Sequence, residues 1–323
     1  MNEQAYVGHS SQLTSVEEVR LVGGKGDGMR LLQIRNASGM ELTLSVDRCA
    51  DISRLIFKGQ SMGYFGPVGY VAPAYYDDQG AGFLKSFTAG FLTTSGLVAV
   101  GSPCEDQGEA LPLHGTIANT PCERIWWTED ETSIHIHARI NDSWDFGRKL
   151  VMDREIICQR NENVLTIRDT VENCGDVESP LMLMYHMNVG YPLLSEKAVL
   201  DIPSVKVAPR NDHAARDIDK WAEILPPTKG YEEQCYYHNF AKEGRATIYN
   251  PEINKGLTIS FDPEELDQFV QWKMTGYRDY VMGLEPANCT PDGRDIVRKK
   301  GTLKFIAPGE RKTYEVTVTL FEK

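Results

Sequence analysis

Thr313–Leu320 reads TYEVTVTL, with Tyr314, Val316, Val318 and Leu320 at alternate positions and Thr313, Glu315, Thr317 and Thr319 between them. A period of two is that of a β-strand with one buried face. The same alternation recurs in Arg30–Arg35 (RLLQIR), Glu41–Val46 (ELTLSV) and Ser133–Ile140 (SIHIHARI). Turn-forming clusters lie between such runs: GGKGDG at Gly23–Gly28, NASG at Asn36–Gly39, RNEN at Arg160–Asn163 and PDGRD at Pro291–Asp295. That spacing predicts hairpin-linked antiparallel sheets. Helical signals are few. The best is Asp262-Pro263-Glu264-Glu265, where Asp can cap and Pro can take the first turn. No Pro/Gly/Ser-rich linker and no repeat of fixed period divides the chain. The reading is therefore all-β: residues 1–323 as a single large antiparallel β-sandwich domain with few short helices. The long connections, Gly66–Gly90 and Asn211–Asn239, are candidate rims of a cleft.

Composition bounds the function. With 41% hydrophobic and 25% charged residues, the chain can bury a sizeable core. Its 34 basic and 46 acidic residues give a net charge of −12, which repels phosphate backbones and anionic membrane surfaces. Neither nucleic acid nor membrane is an expected partner. The basic run Arg298-Lys299-Lys300 reads as a solvated turn. The start, MNEQAYVGHSSQLTS, has no basic n-region and no apolar stretch, so the expected location is cytoplasmic. Seven cysteines with no CxxC pair argue against a disulfide framework or a zinc site and read as mostly buried, reduced thiols.

Few residues are placed to carry chemistry. Leu111-Pro112-Leu113-His114-Gly115 sets a histidine between a proline-stiffened approach and a glycine that permits close contact. Trp126-Trp127, downstream, can line a sugar site, although core packing is the plainer reading. Pro180–Val189 (PLMLMYHMNV) is an almost continuous apolar strand, buried on both faces, with His186 and Asn188 on the face of Met182 and Met184. Burial holds such a histidine neutral, able to give one proton and take one. Val281–Pro286 (VMGLEP) leads into Glu285, and the following proline predicts the end of strand pairing, hence a carboxylate at a strand mouth. His135 and His137 form an HxH pair on one strand face, the way a metal site begins. A third ligand is missing and Arg139 shares the face, so the expectation is a polar outer face and no metal. GGKGDG lacks the strand-then-helix context of a phosphate loop and reads as a hairpin turn.

The order of these segments carries a resemblance. Asn163–Asn173 (NVLTIRDTVEN) followed by Pro180–Asn188 resembles the central segment of galactose mutarotase-like enzymes. His114-Gly115 with Trp126 downstream resembles that family's first-histidine segment, and Leu284-Glu285 the strand of its catalytic glutamate. Through SPCEDQGEALPLHG, MYHMNVGYPLL and GLEPANC the chain is similar to a bacterial branch of the aldose 1-epimerase family over nearly its whole length. The resemblance implies the family's β-supersandwich, with His186 as general acid, Glu285 as general base and His114 orienting the substrate. It departs in two places. In Cys235–Phe240 (CYYHNF), which resembles a substrate-binding loop with an aspartate before a histidine, Tyr237 takes the aspartate's place ahead of His238. The family's sugar-holding arginine has no counterpart. Arg48 and Asp51 are candidates to replace those contacts, or form a structural pair in a buried turn.

The implied activity is aldose 1-epimerase (mutarotase) chemistry on a small-molecule sugar, which needs neither cofactor nor metal. Asn188, His238, Arg48, Asp51 and Trp126 are the candidate substrate contacts. Pairing into a homodimer is left open. The rival readings are a non-catalytic carbohydrate-binding sandwich, a hexose-phosphate epimerase that would need Arg294, Arg298 or Lys300 to face the cleft, and a metal-dependent isomerase through His135 and His137.

Overall fold

The period-two runs pair antiparallel in the computed structural model, which describes residues 3–323. Two sheets dominate. The eight-stranded sheet runs in the order Cys122–Glu129, Ser133–Ser143, Lys149–Gln159, Val164–Asn173, Arg311–Phe321, Lys255–Phe261, Gly244–Asn250, Val199–Asp201. The six-stranded sheet, which carries the candidate site, runs Lys206–Pro209, Gln234–Asn239, Gln268–Thr275, Tyr280–Ala287, Met182–Gly190, Leu92–Leu97. An N-terminal five-stranded sheet spans Ser15 to Ser61. The mostly-β antiparallel architecture expected from the alternation is the one observed.

Alternation decides what each strand buries. Ile134, Ile136, Ala138 and Ile140 from the eight-stranded sheet, Tyr185, Met187, Val189 and Leu284 from the six-stranded sheet, and Leu32, Leu42 and Leu44 from the five-stranded sheet share one apolar cluster. At ~25 cal/mol per Å² of apolar surface removed from water, such continuity is the main force holding the sheets together. Within this core sits a fully buried cation. Arg154 donates to Asp169 Oδ1 and Oδ2 (2.8 and 2.7 Å), to Asp51 Oδ1 (2.9 Å) and to Thr94 Oγ1 (2.8 Å), so one guanidinium joins all three sheets. Its charge is tolerable inside because both carboxylates and the remaining acceptors satisfy its donors.

Three expectations are corrected. Asp262–Glu265 makes one turn and no helix: Asp262 O accepts from Glu265 N and Leu266 N, and Gln268 then enters a strand. Among the described residues the α-helices are Asp212–Ala215 and Arg294–Lys299, so the PDGRD cluster is a turn only to Gly293. Arg298 and Lys299 accordingly lie in the last turn of a helix, where cations oppose its dipole, rather than in a solvated turn. No helix among the described residues is long and apolar enough to cross a membrane.

Candidate active site

On the face of the six-stranded sheet turned away from the core, period two brings chosen side chains into rows. Val270 stands opposite Glu285 and Trp272 opposite Gly283. On the other side Asn188 pairs with Gly283 and Met184 with Ala287; carried between them, that register sets His186 across from Glu285. The ladder between these two strands is interrupted where Pro286 has no N–H to give. Glu285 is therefore not at a strand mouth. Its strand runs on through Ala287, still paired with Gln268–Thr275, and the carboxylate rises from the middle of the sheet floor.

His186 Nε2 and Glu285 Oε1 are 3.3 Å apart, both side chains nearly fully buried. The contact is off the hydrogen-bonding direction, because Oε1 has no hydrogen-bond partner. His114 arrives from outside the sheet. Its backbone is left-handed (φ 60°), locked by His114 N–H donating to Gly101 O (2.9 Å) and by its own carbonyl accepting from Gly96 N (3.1 Å). Gly115 makes this approach possible, since a Cβ there would lie 2.3 Å from Gly96 O. The His114 ring meets the His186 ring edge-on at 5.2 Å and packs on Phe83 at 5.2 Å.

Burial sets the protonation of all three. Desolvation pulls His186 down to about 4 and His114 well below the ordinary imidazole value, with the neighbouring His186 and Arg210 adding to the fall at His114. Desolvation raises Glu285 well above the usual carboxylate range. The nearby Glu233 raises it further and Arg210 partly offsets both. Burial thus favours the uncharged form of all three groups. His114 Nδ1, His186 Nδ1 and Glu285 Oε1 are buried without partners, a concentration of uncompensated polar atoms that costs stability and marks functional sites.

The three converge on a cleft of about 510 Å³, within the roughly 300–1,000 Å³ of small-molecule sites. One wall comes from the long connection flagged in the sequence, through Pro67, Val68, Phe83, Leu84 and Phe87. The other includes Glu233, Cys235 and Arg210, the last a residue the sequence reading missed. Arg210 donates to Ser102 Oγ (2.9 Å) and Pro291 O (3.2 Å) and stays a quarter exposed. It is the single cation among the lining residues. Its backbone N–H bonds Cys235 O, one register step past the Lys206–Pro209 strand, and only that tertiary pairing brings it to the cleft.

The other candidate contacts lie elsewhere. Asn188 shares the face of His186 but is sealed, its Nδ2 donating to His186 O (3.0 Å). His238 is on the opposite face of its strand from Cys235, between Ser204 Oγ (2.7 Å) and Gln271 Oε1 (3.3 Å) and under Trp221. Tyr237 donates to Asp292 Oδ1 (2.7 Å), the carboxylate beside Arg210. Arg48 and Asp51 share a buried turn, in which Asp51 N–H donates to Arg48 O, but neither lines the cleft and their side chains do not bond each other. Arg48 donates to the carbonyls of Ala118 and Ser86, tying together two loops, and Asp51 joins the Arg154 network. Trp126 and Trp127 are neither core nor cleft, but lie exposed on an edge strand, with Trp126 stacked on His137. His135 is held by Glu155 Oε1 (3.0 Å) and Ser133 Oγ (3.2 Å) on that outer face. Arg294 and Arg298 pair with Asp106, and Lys300 with Asp292. None of the three lines the cleft, so none offers there the phosphate contact that the hexose-phosphate reading required of them.

Residues 26–320 match the model of a family described as "Domain of unknown function (DUF4432)". No curated protein matches the chain. Among solved structures, the chain is similar to a "putative aldose 1-epimerase" from Klebsiella pneumoniae, at 27% identity and a TM-score of 0.90, covering 96% of this chain and 84% of that one. It shares the fold of a galactose mutarotase-like protein from Clostridium acetobutylicum (11% identity, TM-score 0.72, 97% and 100% covered). It also shares that of a galactose 1-epimerase from Lactobacillus acidophilus (12%, 0.67, 96% and 99%).

Proposed function

We propose, for a chain that belongs to the DUF4432 family and has the fold of aldose 1-epimerase and galactose mutarotase-like proteins, that it interconverts the anomers of an uncharged aldose by acid–base ring opening. The observation that carries this reading is the His186–Glu285 pair, 3.3 Å apart and touching His114 at the floor of one cleft.

Opening a cyclic hemiacetal moves two protons. The C1 hydroxyl loses its proton, the C1–ring oxygen bond breaks as a carbonyl forms, and the ring oxygen takes up a proton. A base and an acid must therefore stand side by side. The His186–Glu285 pair, a neutral imidazole beside a protonated carboxyl, is both at once. In the uncharged arrangement that burial favours, His186 takes the hydroxyl proton and Glu285 protonates the ring oxygen. One proton passed between them gives the assignment implied by the resemblance, with Glu285 as base and His186 as acid. His114 steadies the opened carbonyl while the C1–C2 bond rotates, and closure on the other face restores the pair. Each placed acid or base contributes ~10²–10⁴ in rate.

Arg210 supplies donors to sugar hydroxyls, and Trp272, its Nε1 bound to Glu233 Oε2 (2.7 Å), offers an apolar platform for the ring. Glu233 and Asp279 against a lone Arg210 favour an uncharged substrate over a sugar acid or phosphate. The test is an NMR anomer-exchange screen across neutral aldoses, sugar acids and sugar phosphates. Exchange confined to neutral aldoses is expected, and exchange with none of the three classes would remove the epimerase reading.

A further inference from the structure

The cleft is larger than the chemistry requires. The Glu285 carboxyl folds back over Gly283, and Val281 lies two residues further along the same face of the strand, so at ~3.4 Å per residue the floor extends roughly 7 Å beyond the carboxylate. Met274 stands opposite Val281 in the neighbouring strand, and both line the cleft. The volume shows the room that remains: at ~30 Å³ per water the cleft holds roughly 17 waters, about three times what one hexose displaces.

The chemistry of the two ends differs as well. His114, His186, Glu285, Ser102 and Arg210 gather at one end. The far end presents Trp272, Met274, Val281, Val68, Pro67 and the Tyr64 ring, with few groups to bond hydroxyls. Trp272 joins the two, its ring edge-on to His186 at 5.4 Å. A wall of this kind is wasted on a fully hydroxylated sugar, whose polar groups would be desolvated against it without partners. Asp279 and Glu233 at the rim disfavour an anionic group.

We infer, resting on the epimerase reading above, that the substrate is an uncharged reducing sugar bearing a bulky apolar substituent on the part of the ring away from C1. The sugar ring sits at His186 and Glu285 with C1 free, and the substituent lies over Trp272 against Met274 and Val281. This continuity with the acid–base pair singles out a substituent of the substrate, and not a separate ligand, as the occupant.

The experiment compares anomer exchange of glucose, galactose and mannose with that of their 4-O-benzyl and 6-O-benzyl ethers and their 6-phosphates. A KM at least tenfold lower for one of the ethers than for its parent sugar is expected, with the phosphates poorest. Met274→Ser, and independently Val68→Ser in the loop wall, should each shrink the preference for the ether over its parent. Parent sugars exchanged as well as or better than every ether would overturn the inference and leave the epimerase reading standing. Ligand-detected saturation-transfer NMR separates the two failures. No exchange of any sugar, but benzyl protons that take up saturation in the wild type and lose it in Met274→Ser, would uphold the apolar subsite and overturn the epimerase reading. Neither exchange nor binding of any ether would overturn both.

Discussion

Gly283 and Glu285 face the same way on one strand, and the Glu285 carboxyl folds back over the glycine so closely that a Cβ at residue 283 would lie 2.0 Å from Oε1. The glycine is thus the seat of the carboxylate. Gly283→Ala should push Glu285 out of register with His186. Displacement of a catalytic group by about 1 Å costs on the order of 10²-fold in rate, so the anomer-exchange rate should fall that far while circular dichroism stays native. An alanine variant with wild-type exchange would show that the position of Glu285 does not matter.

Burial of Glu285 also has a stability signature. Its folded-state pKa is raised, so the native protein keeps a proton that the unfolded chain releases above ~4.3. The stabilisation is full below that value and is lost as pH rises towards the folded pKa. Glutamine cannot ionise and escapes the loss. Melting curves of Glu285→Gln should match wild type at pH 4 and lie above it at pH 8. A variant less stable at pH 8 would mean that an ionised Glu285 is paired and favourable.

Arg210 is expected to act through binding. Its hydrogen bonds to Ser102 and Pro291 aim the guanidinium without consuming all its donors. Losing a charge-assisted hydrogen bond costs about 1.5–3 kcal/mol, so Arg210→Met should raise KM roughly 10- to 150-fold with kcat changed little. A lower melting temperature with unchanged KM would make it structural instead.

Asp51 is expected to behave in the opposite way. With Asp169 it neutralises Arg154 inside the core, and it does not line the cleft. Breaking a buried pair by removing one partner costs about 3–5 kcal/mol. Asp51→Ala should lose that much in urea titration, and the molecules that remain folded should keep their KM. An altered KM at unaltered stability would return Asp51 to the sugar site.

The fold was legible because the alternation is strict where one face is buried, as in TYEVTVTL, and unbroken where both are, as in Met182–Gly190. That His114, His186 and Glu285 meet in one cleft was legible from their order along the chain. What local sequence could not supply was long-range pairing. Pro286 signals a strand end, yet two neighbouring strands hold it in the middle of a sheet. Arg48 and Asp51 look like a pair because they are close in sequence, while each finds partners tens of residues away. His238 could have been excluded by parity, since Cys235 and Tyr237 point one way and Tyr236 and His238 the other. Trp126 gave no such signal: an edge strand with one partner leaves its aromatics exposed.

The central claim is that Glu285 and His186 share the proton traffic of ring opening, and Glu285→Gln tests it most directly. Glutamine keeps the shape of the buried acid but can act neither as acid nor as base. Saturation-transfer NMR on wild type and variant at equal folded concentration, with whichever aldose the screen identifies, should show anomer exchange lower by roughly 10²–10⁴ with sugar affinity nearly unchanged. Equal exchange rates in the two proteins would contradict the account.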